Sequence, residues 1–205
     1  MTVVTAAGMI APVRSNKPQN QLRIIAGRWR GRRLRFAPVP GLRPTPDRVR
    51  ETLFNWLGPA IAGTRCLDLF AGSGALGLEA ASRGAGEVVL VDSHASVIDT
   101  LRQQLQQLDA GQVRLVQADA AVYLRGGGQP FDIVFLDPPF GEGLLEGIMQ
   151  QLEEGGWLSA DAWVYLEAER GHVYELPPNW AVHRSKTAGQ VAYSLIRRTA
   201  TVAAD

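Results

Sequence analysis

Cysteine, histidine and long apolar runs are scarce in this sequence, and each scarcity excludes a class of protein. The 205 residues contain one cysteine, Cys66, so no internal disulfide can form. Cys66 lies in a predicted strand, where we interpret it as a small buried hydrophobic residue. The three histidines, His94, His172 and His183, do not have the spacing of metal ligands, and we predict no metal site.

No segment of the chain has the roughly 18 to 20 apolar residues that a membrane-spanning helix needs. The N-terminal stretch also lacks the charged segment that opens a secretion signal. We therefore expect a cytoplasmic protein with no membrane partner. With 46% hydrophobic residues the chain can bury one domain core, and we expect a disordered tail at residues 1–21 and a short tail at residues 199–205.

Acidic residues are nearly missing from residues 23–50, although the whole chain has a net charge of only +1. This segment has nine arginines, no lysine and one acid, which gives it a net charge of +8. Arg14 and Lys17 add two positive charges before it, so residues 51–205 carry a net charge of −9. A basic arm on an acidic body favours a polyanionic partner over a merely solvated surface, because arginine binds phosphates and stacks on bases. The expected nucleic-acid contacts are Arg28, Trp29, Arg30, Arg32 and Arg33. Whether Arg48 and Arg50 join them or order a cofactor pocket stays open.

The order of predicted elements is that of an α/β protein. Residues 22–36 carry β-branched residues around two glycines and predict a hairpin, within a basic extension over residues 22–44. A helix follows, with Thr45 as its predicted N-cap, and opens the main domain over residues 45–198. Strands and helices then alternate, which predicts a mostly parallel sheet covered on both faces, and residues 180–198 predict a closing antiparallel hairpin.

A glycine-rich stretch, DLFAGSGALG at residues 68–77, follows the first strand of this alternation. It matches the G-x-G-x-x-G pattern of nucleotide-binding turns, although the pattern alone is common. A triphosphate-binding P-loop is excluded because no Gly-Lys-Ser/Thr follows the glycines. The ligand therefore has to be inferred from the residues around this stretch.

Acidic residues end three successive predicted strands. Asp68 suits a positively charged amine, since it would repel a pyrophosphate. Asp92 can accept hydrogen bonds from both hydroxyls of a ribose, and Asp119 can accept from the amino group of an adenine. Each acid alone could be a helix cap or a solvated loop residue, but the three together favour S-adenosylmethionine over a dinucleotide. The expected cofactor contacts are Asp68, Ala71, Gly72, Ser73, Gly74, Asp92, Ser93, Asp119 and Ala120.

The sequence DPPF at residues 137–140 follows the fourth strand. Its two prolines fix an extended backbone without amide donors, which leaves the Asp137 carboxylate and the Pro138 carbonyl as acceptors. Two acceptors can hold both hydrogens of an amino group while its nitrogen is methylated, and Phe140 can stack on a base flipped out of its helix. We predict that Asp137, Pro138 and Phe140 are catalytic; a merely stiff turn is the alternative.

These motifs together resemble a known family. DLFAGSG and DPPF are similar to the cofactor loop and the [DNS]PP[YF] motif of class I S-adenosylmethionine-dependent methyltransferases that act on amino groups. With RPTPDRVRETLFNWL and AGQVAYSL, they closely resemble the bacterial D-type small-subunit ribosomal RNA (guanine-N2-)-methyltransferases over residues 22–198. The resemblance implies a Rossmann-like seven-stranded sheet and a monomer that methylates a guanine N2 in 16S ribosomal RNA, either free or within the 30S subunit.

Other functions stay open at this point. A DNA adenine-N6 or protein glutamine-N5 methyltransferase would also hold a nitrogen in a D/N-P-P-Y/F turn, although the arginine-rich arm disfavours a protein substrate. A non-catalytic RNA-binding assembly factor would be expected to have lost one of the acids or the DPPF turn, and all are present. An NAD-dependent oxidoreductase fits the glycine pattern but gives no role to DPPF.

Overall fold

The computed structural model describes residues 20–199. The predicted tails lie outside this range except at their inner ends, where Gln21 and Thr199 belong to strands. The strands are β1 (Gln21–Arg23), β2 (Arg33–Arg35), β3 (Arg65–Asp68), β4 (Glu87–Asp92), β5 (Val113–Gln117), β6 (Phe131–Leu136), β7 (Leu158–Glu169), β8 (Trp180–Ala188) and β9 (Val191–Thr199). The helices are α1 (Asp47–Leu57), α2 (Ala75–Ser82), α3 (Ala95–Leu108), α4 (Ala120–Leu124) and α5 (Leu145–Glu154), with a short 3-10 turn at Gly58–Ile61.

Seven strands form one sheet in the order β5-β4-β3-β6-β7-β9-β8. The pairs from β5 to β7 are parallel, and β9 and β8 are antiparallel, which confirms the predicted sheet with its closing hairpin. The chain adds strands on one side of β3 and then crosses to β6 on the other side. The carboxyl ends of β3 and β6 therefore flank a topological switch point, where open α/β sheets bind ligands.

Each face of the sheet has its own hydrophobic core. Alternation along the strands places Cys66 and Phe135 in one core, and Leu67 and Val134 in the other. Cys66 is fully buried, and burial raises the pKa of its thiol to about 12. The thiol is therefore neutral at ordinary pH, which confirms the interpretation of Cys66 as a small hydrophobic residue.

Helix α1 packs an apolar stripe onto the sheet but begins differently from the prediction. It starts at Asp47, and no side chain caps its first turn. Thr45, the predicted N-cap, is buried and hydrogen-bonds the Glu167 side chain on β7 instead. The buried residues of the helix are Val49, Arg50, Leu53, Phe54 and Leu57. Of the helices in residues 20–199, none is long and apolar enough to span a bilayer.

The N-terminal hairpin exists as predicted, and its loop is docked on the main domain. Strands β1 and β2 pair antiparallel, with Leu22 opposite Leu34. Beyond β1, the backbone amides of Ile25 and Ala26 donate to the carboxylate of Glu79 on α2, at 2.8 and 3.0 Å. Close approach continues at Gly27, whose φ is +80° and where a Cβ would lie 1.8 Å from a backbone oxygen of α2. The loop is thus held against the end of α2.

Arg50 joins the hairpin, α1 and α2. Its guanidinium is fully buried and lies 2.6 Å from the Asp47 carboxylate and 3.4 Å from the Glu79 carboxylate. It also donates to the backbone oxygens of Arg23 and Thr45, at 2.9 and 3.1 Å. Arg50 is therefore a structural residue with no donor facing solvent. Arg48, two residues earlier in the same helix, is exposed.

Candidate active site

The carboxyl edge of the sheet brings the predicted acids and the DPPF turn together. Asp68 ends β3, Asp92 ends β4, and Asp119 follows β5. Asp137 follows β6 directly, on the other side of the switch point from Asp68. Parallel neighbouring strands place all four carboxyl groups along one crevice, as the sequence predicts.

The glycine loop turns from β3 into α2 through two residues with left-handed backbone. Gly72 has φ +49° and Gly74 has φ +77°. The Gly72 amide donates to the Asp92 carboxylate at 2.9 Å, which fixes the loop on the end of β4. A Cβ on Gly74 would lie 2.7 Å from the side chains of Leu78 and Leu101. The left-handed backbone therefore favours glycine at position 74, and a side chain there would also have to displace Leu78 and Leu101.

Asp68 is a buried carboxyl group with no cation beside it. Its residue exposure is 2%, and its Oδ2 accepts the Gly77 amide at 3.0 Å. Burial raises the pKa of Asp68 to about 7, against the lowering effect of the backbone amides of Gly77 and Phe70. Within residues 20–199 no arginine, lysine or histidine lies within ion-pair distance of it. A buried carboxyl of this kind fits a ligand that brings its own positive charge.

Asp92 and Asp119 are both tied to the backbone. Asp92 accepts from the amides of Gly72 and His94, and Asp119 Oδ1 accepts from the Val122 amide at 3.0 Å as the N-cap of α4. A capping role, weighed as the alternative from the sequence, is thus present for Asp119. Each carboxylate oxygen can accept more than one hydrogen bond, so these contacts leave capacity for a ligand. Among the other expected contacts, Ala71, Ser73 and Ala120 are buried and Ser93 is exposed.

The DPPF turn presents one acid and one ring to the crevice. Asp137 is partly buried, Pro138 is buried, and Phe140 is 45% exposed. The pKa of Asp137 lies well above its ordinary value, chiefly because of burial and then because Glu167 and Asp68 repel a second negative charge. Phe140 is one of few large apolar side chains that the structure leaves open to solvent, so its ring is available for stacking.

Sequence reasoning missed a second layer of polar residues under the turn. Glu167 is 4% exposed, and the Tyr165 hydroxyl donates to its Oε1 at 2.6 Å. Thr45 supplies a further hydrogen bond to the Glu167 carboxyl. The signal was present in WVYLEAE, where a glutamate stands in an otherwise apolar strand. Buried carboxyls in such positions need a partner or a task.

Trp29 and the hairpin arginines occupy different environments. Trp29 is 4% exposed and belongs to the core beneath the hairpin, so the expectation that its ring stacks on RNA is wrong. Its amide donates to the Ser82 hydroxyl at 3.0 Å, which turns the indole inward. The predicted nucleic-acid contacts that remain exposed are Arg28, Arg30, Arg32 and Arg33.

The exposed hairpin arginines lie toward the opposite edge of the sheet from the crevice. Helices α2 and α3 begin at the carboxyl edge, and the hairpin loop contacts the last turn of α2. Arg28 also lies 3.5 Å from Asp109, which follows α3. The eight residues of α2 separate the two edges by roughly 12 Å. In the described part of the chain, no group of three potential metal ligands is present.

The sequence and the architecture have known counterparts. The family model described as "Conserved hypothetical protein 95" matches residues 22–197. Ribosomal RNA small subunit methyltransferase D of Escherichia coli (strain K12) is 52% identical over 181 residues, which cover 88% of this chain and 91% of that protein. The protein of the same name from Haemophilus influenzae is 43% identical and covers 89% of this chain and 97% of its own length. The chain belongs to this family of methyltransferases.

Solved structures agree with the family assignment. A structure titled putative methyltransferase, from Escherichia coli, has a TM-score of 0.82 at 53% identity, covering 89% of this chain and all of its own. An RNA methyltransferase from Salinibacter ruber, solved with S-adenosyl-L-homocysteine, has a TM-score of 0.60 at 17% identity and supports the fold alone. That structure covers 80% of this chain and 98% of its own length. Together they confirm the class I methyltransferase fold.

This methyltransferase uses S-adenosylmethionine, and the predicted cofactor is confirmed. The residues present fit this molecule on their own chemistry. Asp68 offers a buried carboxyl without a cation, which suits the ammonium group of the methionine part. Asp92 lies at the end of the next strand, tied to the loop glycine, where a ribose-binding acid is needed.

Proposed function

We propose that this methyltransferase transfers a methyl group to the exocyclic N2 of a guanine in small-subunit ribosomal RNA. The printed names of the relatives support ribosomal RNA as the substrate class. An amino group is favoured as the methyl acceptor because Asp137 and Pro138 follow β6, across the switch point from Asp68. The methyl donor and the target nitrogen would meet between these two strand ends.

The cofactor would be held by residues at the ends of β3, β4 and β5. Asp68 would face the ammonium group, Asp92 the ribose hydroxyls, and Asp119 the adenine amine. When bound, S-adenosylmethionine supplies an electrophilic methyl group on a positively charged sulfur, which leaves with the bonding electron pair. The loop from Ala71 to Gly74 positions this molecule, and its glycines keep the backbone turn open on the ligand side.

The DPPF turn would orient the target. The Asp137 carboxylate and the Pro138 carbonyl accept the two hydrogens of N2, which turns the nitrogen lone pair toward the methyl group. Phe140 stacks on the flipped guanine, for which its exposed ring is suited. The methylated nitrogen carries a positive charge and one excess proton, which Asp137 or water accepts.

The exposed arginines of the hairpin would bind RNA away from the target nucleotide. Because they lie toward the opposite edge of the sheet, they would contact phosphates of the flanking RNA and not the reacting guanine. Arg43 and Arg48 are also exposed and stand closer to the crevice, since Thr45 between them touches Glu167. Such contacts contribute affinity without sequence specificity.

Methylation of small-subunit RNA and particles with labelled S-adenosylmethionine tests this function. Nucleoside mass spectrometry is expected to find N2-methylguanosine as the product. Asp137→Asn is expected to lower kcat by about a hundredfold or more while leaving the affinity for S-adenosylhomocysteine within about threefold. The exposed acid Glu142, in the loop after the turn, offers a matched control as Glu142→Gln, which is expected to keep wild-type turnover.

Three results would contradict the proposal. N6-methyladenine in DNA as the favoured product would support the alternative that the DPPF turn alone allowed. An Asp137→Asn enzyme with near-normal turnover would remove Asp137 from the chemistry, and binding of RNA without any methylated product would support an assembly factor.

A further inference from the structure

The crevice contains a second buried carboxyl group that the methyl transfer described above leaves unused. In the β6–β7 register, Phe135 pairs with Tyr165 and Leu136 with Leu166. The next residues along the two parallel strands are Asp137 and Glu167. Residues that are paired in neighbouring strands share a face of the sheet, so these two carboxyl groups project side by side.

Hydroxyl donors surround Glu167, and cations do not. Tyr165 donates to its Oε1 at 2.6 Å, and Thr45 donates from the segment before α1. The buried cation Arg50 on α1 is bound to the carboxylates of Asp47 and Glu79. Other ionisable groups on this face are Cys66 and Asp68 on β3, and Tyr193 on β9, which pairs with Glu167 in register. The cation Lys186 on β8 pairs with Tyr193, one strand further from Glu167.

Two neighbouring carboxyl groups without a cation cannot both ionise cheaply in a buried site. Burial raises the pKa of both Asp137 and Glu167, and the hydroxyls of Tyr165 and Thr45 oppose this rise at Glu167 alone. Negative charge is therefore favoured on Glu167, and the proton that the pair retains is favoured on Asp137. The two groups titrate as a coupled pair.

We propose that Glu167 is a positioning residue whose negative charge makes Asp137, and not water, the acceptor of the proton released from guanine N2. This inference rests on the proposed function. At a pH above the titration of the pair, where the shared proton has been lost, Asp137 is ionised before transfer and holds the amine. During transfer the nitrogen becomes positive, its N–H bond breaks toward an Asp137 oxygen, and that bond's electron pair returns to nitrogen. Glu167 stays ionised throughout and raises the proton affinity of its neighbour.

The pH dependence of kcat distinguishes this role from a structural one. Wild type is expected to lose activity as pH falls, because Asp137 is then protonated and cannot hold the amine. In Glu167→Gln the neighbouring charge is gone, so this acidic limb is expected to move down by about one pH unit or more. The plateau rate is expected to fall about tenfold, since Asp137 becomes a weaker base.

A matched control comes from the same strand. Glu169→Gln removes an exposed acid two residues further along β7 and is expected to leave both limb and plateau unchanged. Tyr165→Phe removes one hydroxyl donor from Glu167, which then takes more of the shared proton. Its acidic limb is expected to move in the same direction as that of Glu167→Gln, by a smaller amount, and it carries the test should Glu167→Gln not fold.

A measurement on the cofactor-free protein adds a readout that does not depend on turnover. Both carboxyls have raised pKa values in the folded state, so the free energy of unfolding is expected to fall as pH rises from the ordinary carboxyl range to the raised pKa values of the pair. Glu167→Gln is expected to make this fall smaller. Urea unfolding at a series of pH values measures it.

The outcomes separate this inference from the proposed function. A Glu167→Gln enzyme whose rate drops equally at every pH, with an unmoved limb, overturns the role of Glu167 while Asp137→Asn remains inactive. Near-normal turnover of Asp137→Asn removes the proposed function itself. A shifted limb in Glu167→Gln together with an inactive Asp137→Asn supports both.

Discussion

Asp68 combines a structural role with the proposed contact to the cofactor. Its Oδ2 holds the first turn of α2 through the Gly77 amide, and it is almost fully buried. Position 77 has to be glycine, because a Cβ there would lie 2.1 Å from the Leu90 side chain and 3.2 Å from Asp68 Oδ2. The glycine pattern of the loop thus also allows α2 to pack closely on the sheet beside Asp68.

Cofactor affinity is expected to rise with pH around neutrality because of Asp68. The pKa of Asp68 in the folded protein, about 7, is raised above its ordinary value, and only the ionised carboxylate attracts an ammonium group. Between pH 6 and 8 the ionised fraction, and with it the affinity for S-adenosylhomocysteine, is expected to rise about tenfold. Calorimetric titrations measure this rise.

The control for this prediction is Asp68→Asn. The amide oxygen can still accept the Gly77 hydrogen bond, but it carries no charge. Affinity is expected to be lower and to lose this pH dependence. An equal rise with pH in the variant would show that another group is responsible.

Single residues could be placed from the sequence where their position depends on neighbouring residues in the chain. Asp68, Asp92, Asp119 and Asp137 could be placed because each stands at the carboxyl end of a predicted strand. The buried state of Trp29 could not, since it depends on Ser82 on α2, 53 residues away in the chain. Arg50 was equally ambiguous, because its partner Glu79 is brought to it only by packing of α1 on α2.

Among the elements, α2 connects the basic hairpin to the catalytic domain. Glu79 is fully buried and accepts from two hairpin amides, from Arg50 and from Arg83. Breaking a buried ion pair leaves a charge without compensation, which is costly. The attachment of the hairpin therefore depends on a few charged residues that face the interior.

Arg50→Ala is expected to reduce the free energy of unfolding by about 3 to 5 kcal/mol. The reason is that Glu79 would stay buried with only Arg83, which is partly exposed, as its cation. Arg48→Ala, on the exposed side of the same helix, is expected to change stability by less than about 0.5 kcal/mol. Urea unfolding of both variants measures the difference. An equally small effect of both substitutions would contradict a stabilising role of the buried Arg50–Glu79 ion pair.

The order of strands and helices could be predicted from the sequence more accurately than the residues at which they begin and end. Parallel strands buried on both faces are continuous apolar segments, and β3, β4 and β6 show this pattern in the sequence. The start of α1 was misplaced because Thr45 serves Glu167, a contact across 122 positions that no helix-capping rule contains. The hairpin was found from its glycines, but its docking was not.

In the whole molecule, the fold separates the basic surface of the hairpin from the crevice that contains the candidate active site. Four exposed hairpin arginines lie toward one edge of the sheet and the crevice lies at the other. An RNA that fills both would extend along the α2 face. Binding strength and catalysis are therefore expected to be separable by mutation.

Replacement of Arg28, Arg30, Arg32 and Arg33 by alanine is expected to weaken RNA binding and flatten its salt dependence. Each lost phosphate contact lowers the slope of log affinity against log salt by roughly 0.7 to 0.9. Affinity for S-adenosylhomocysteine is expected to stay at the wild-type value. Filter binding at several salt concentrations measures the slope.

An unchanged slope would place the RNA elsewhere. The closing β8–β9 hairpin would then be the next surface to mutate, since residues 179–199 contain four cations and no acid. Of these cations, Arg184 and Lys186 lie on the exposed edge strand β8, and Lys186 Nζ stands 5.9 Å from the ring centre of Trp56.

The docking of the hairpin loop on Glu79 and Ser82 also sets an order of events during synthesis. The loop amides find their acceptors 53 and 54 positions later in the chain. When the loop leaves the ribosome, these acceptors have not yet been made, and the arginine-rich segment emerges without its protein partner. For that interval a strongly basic nascent segment stands beside the ribosome's own RNA, and it is released into the native fold only once α2 has emerged.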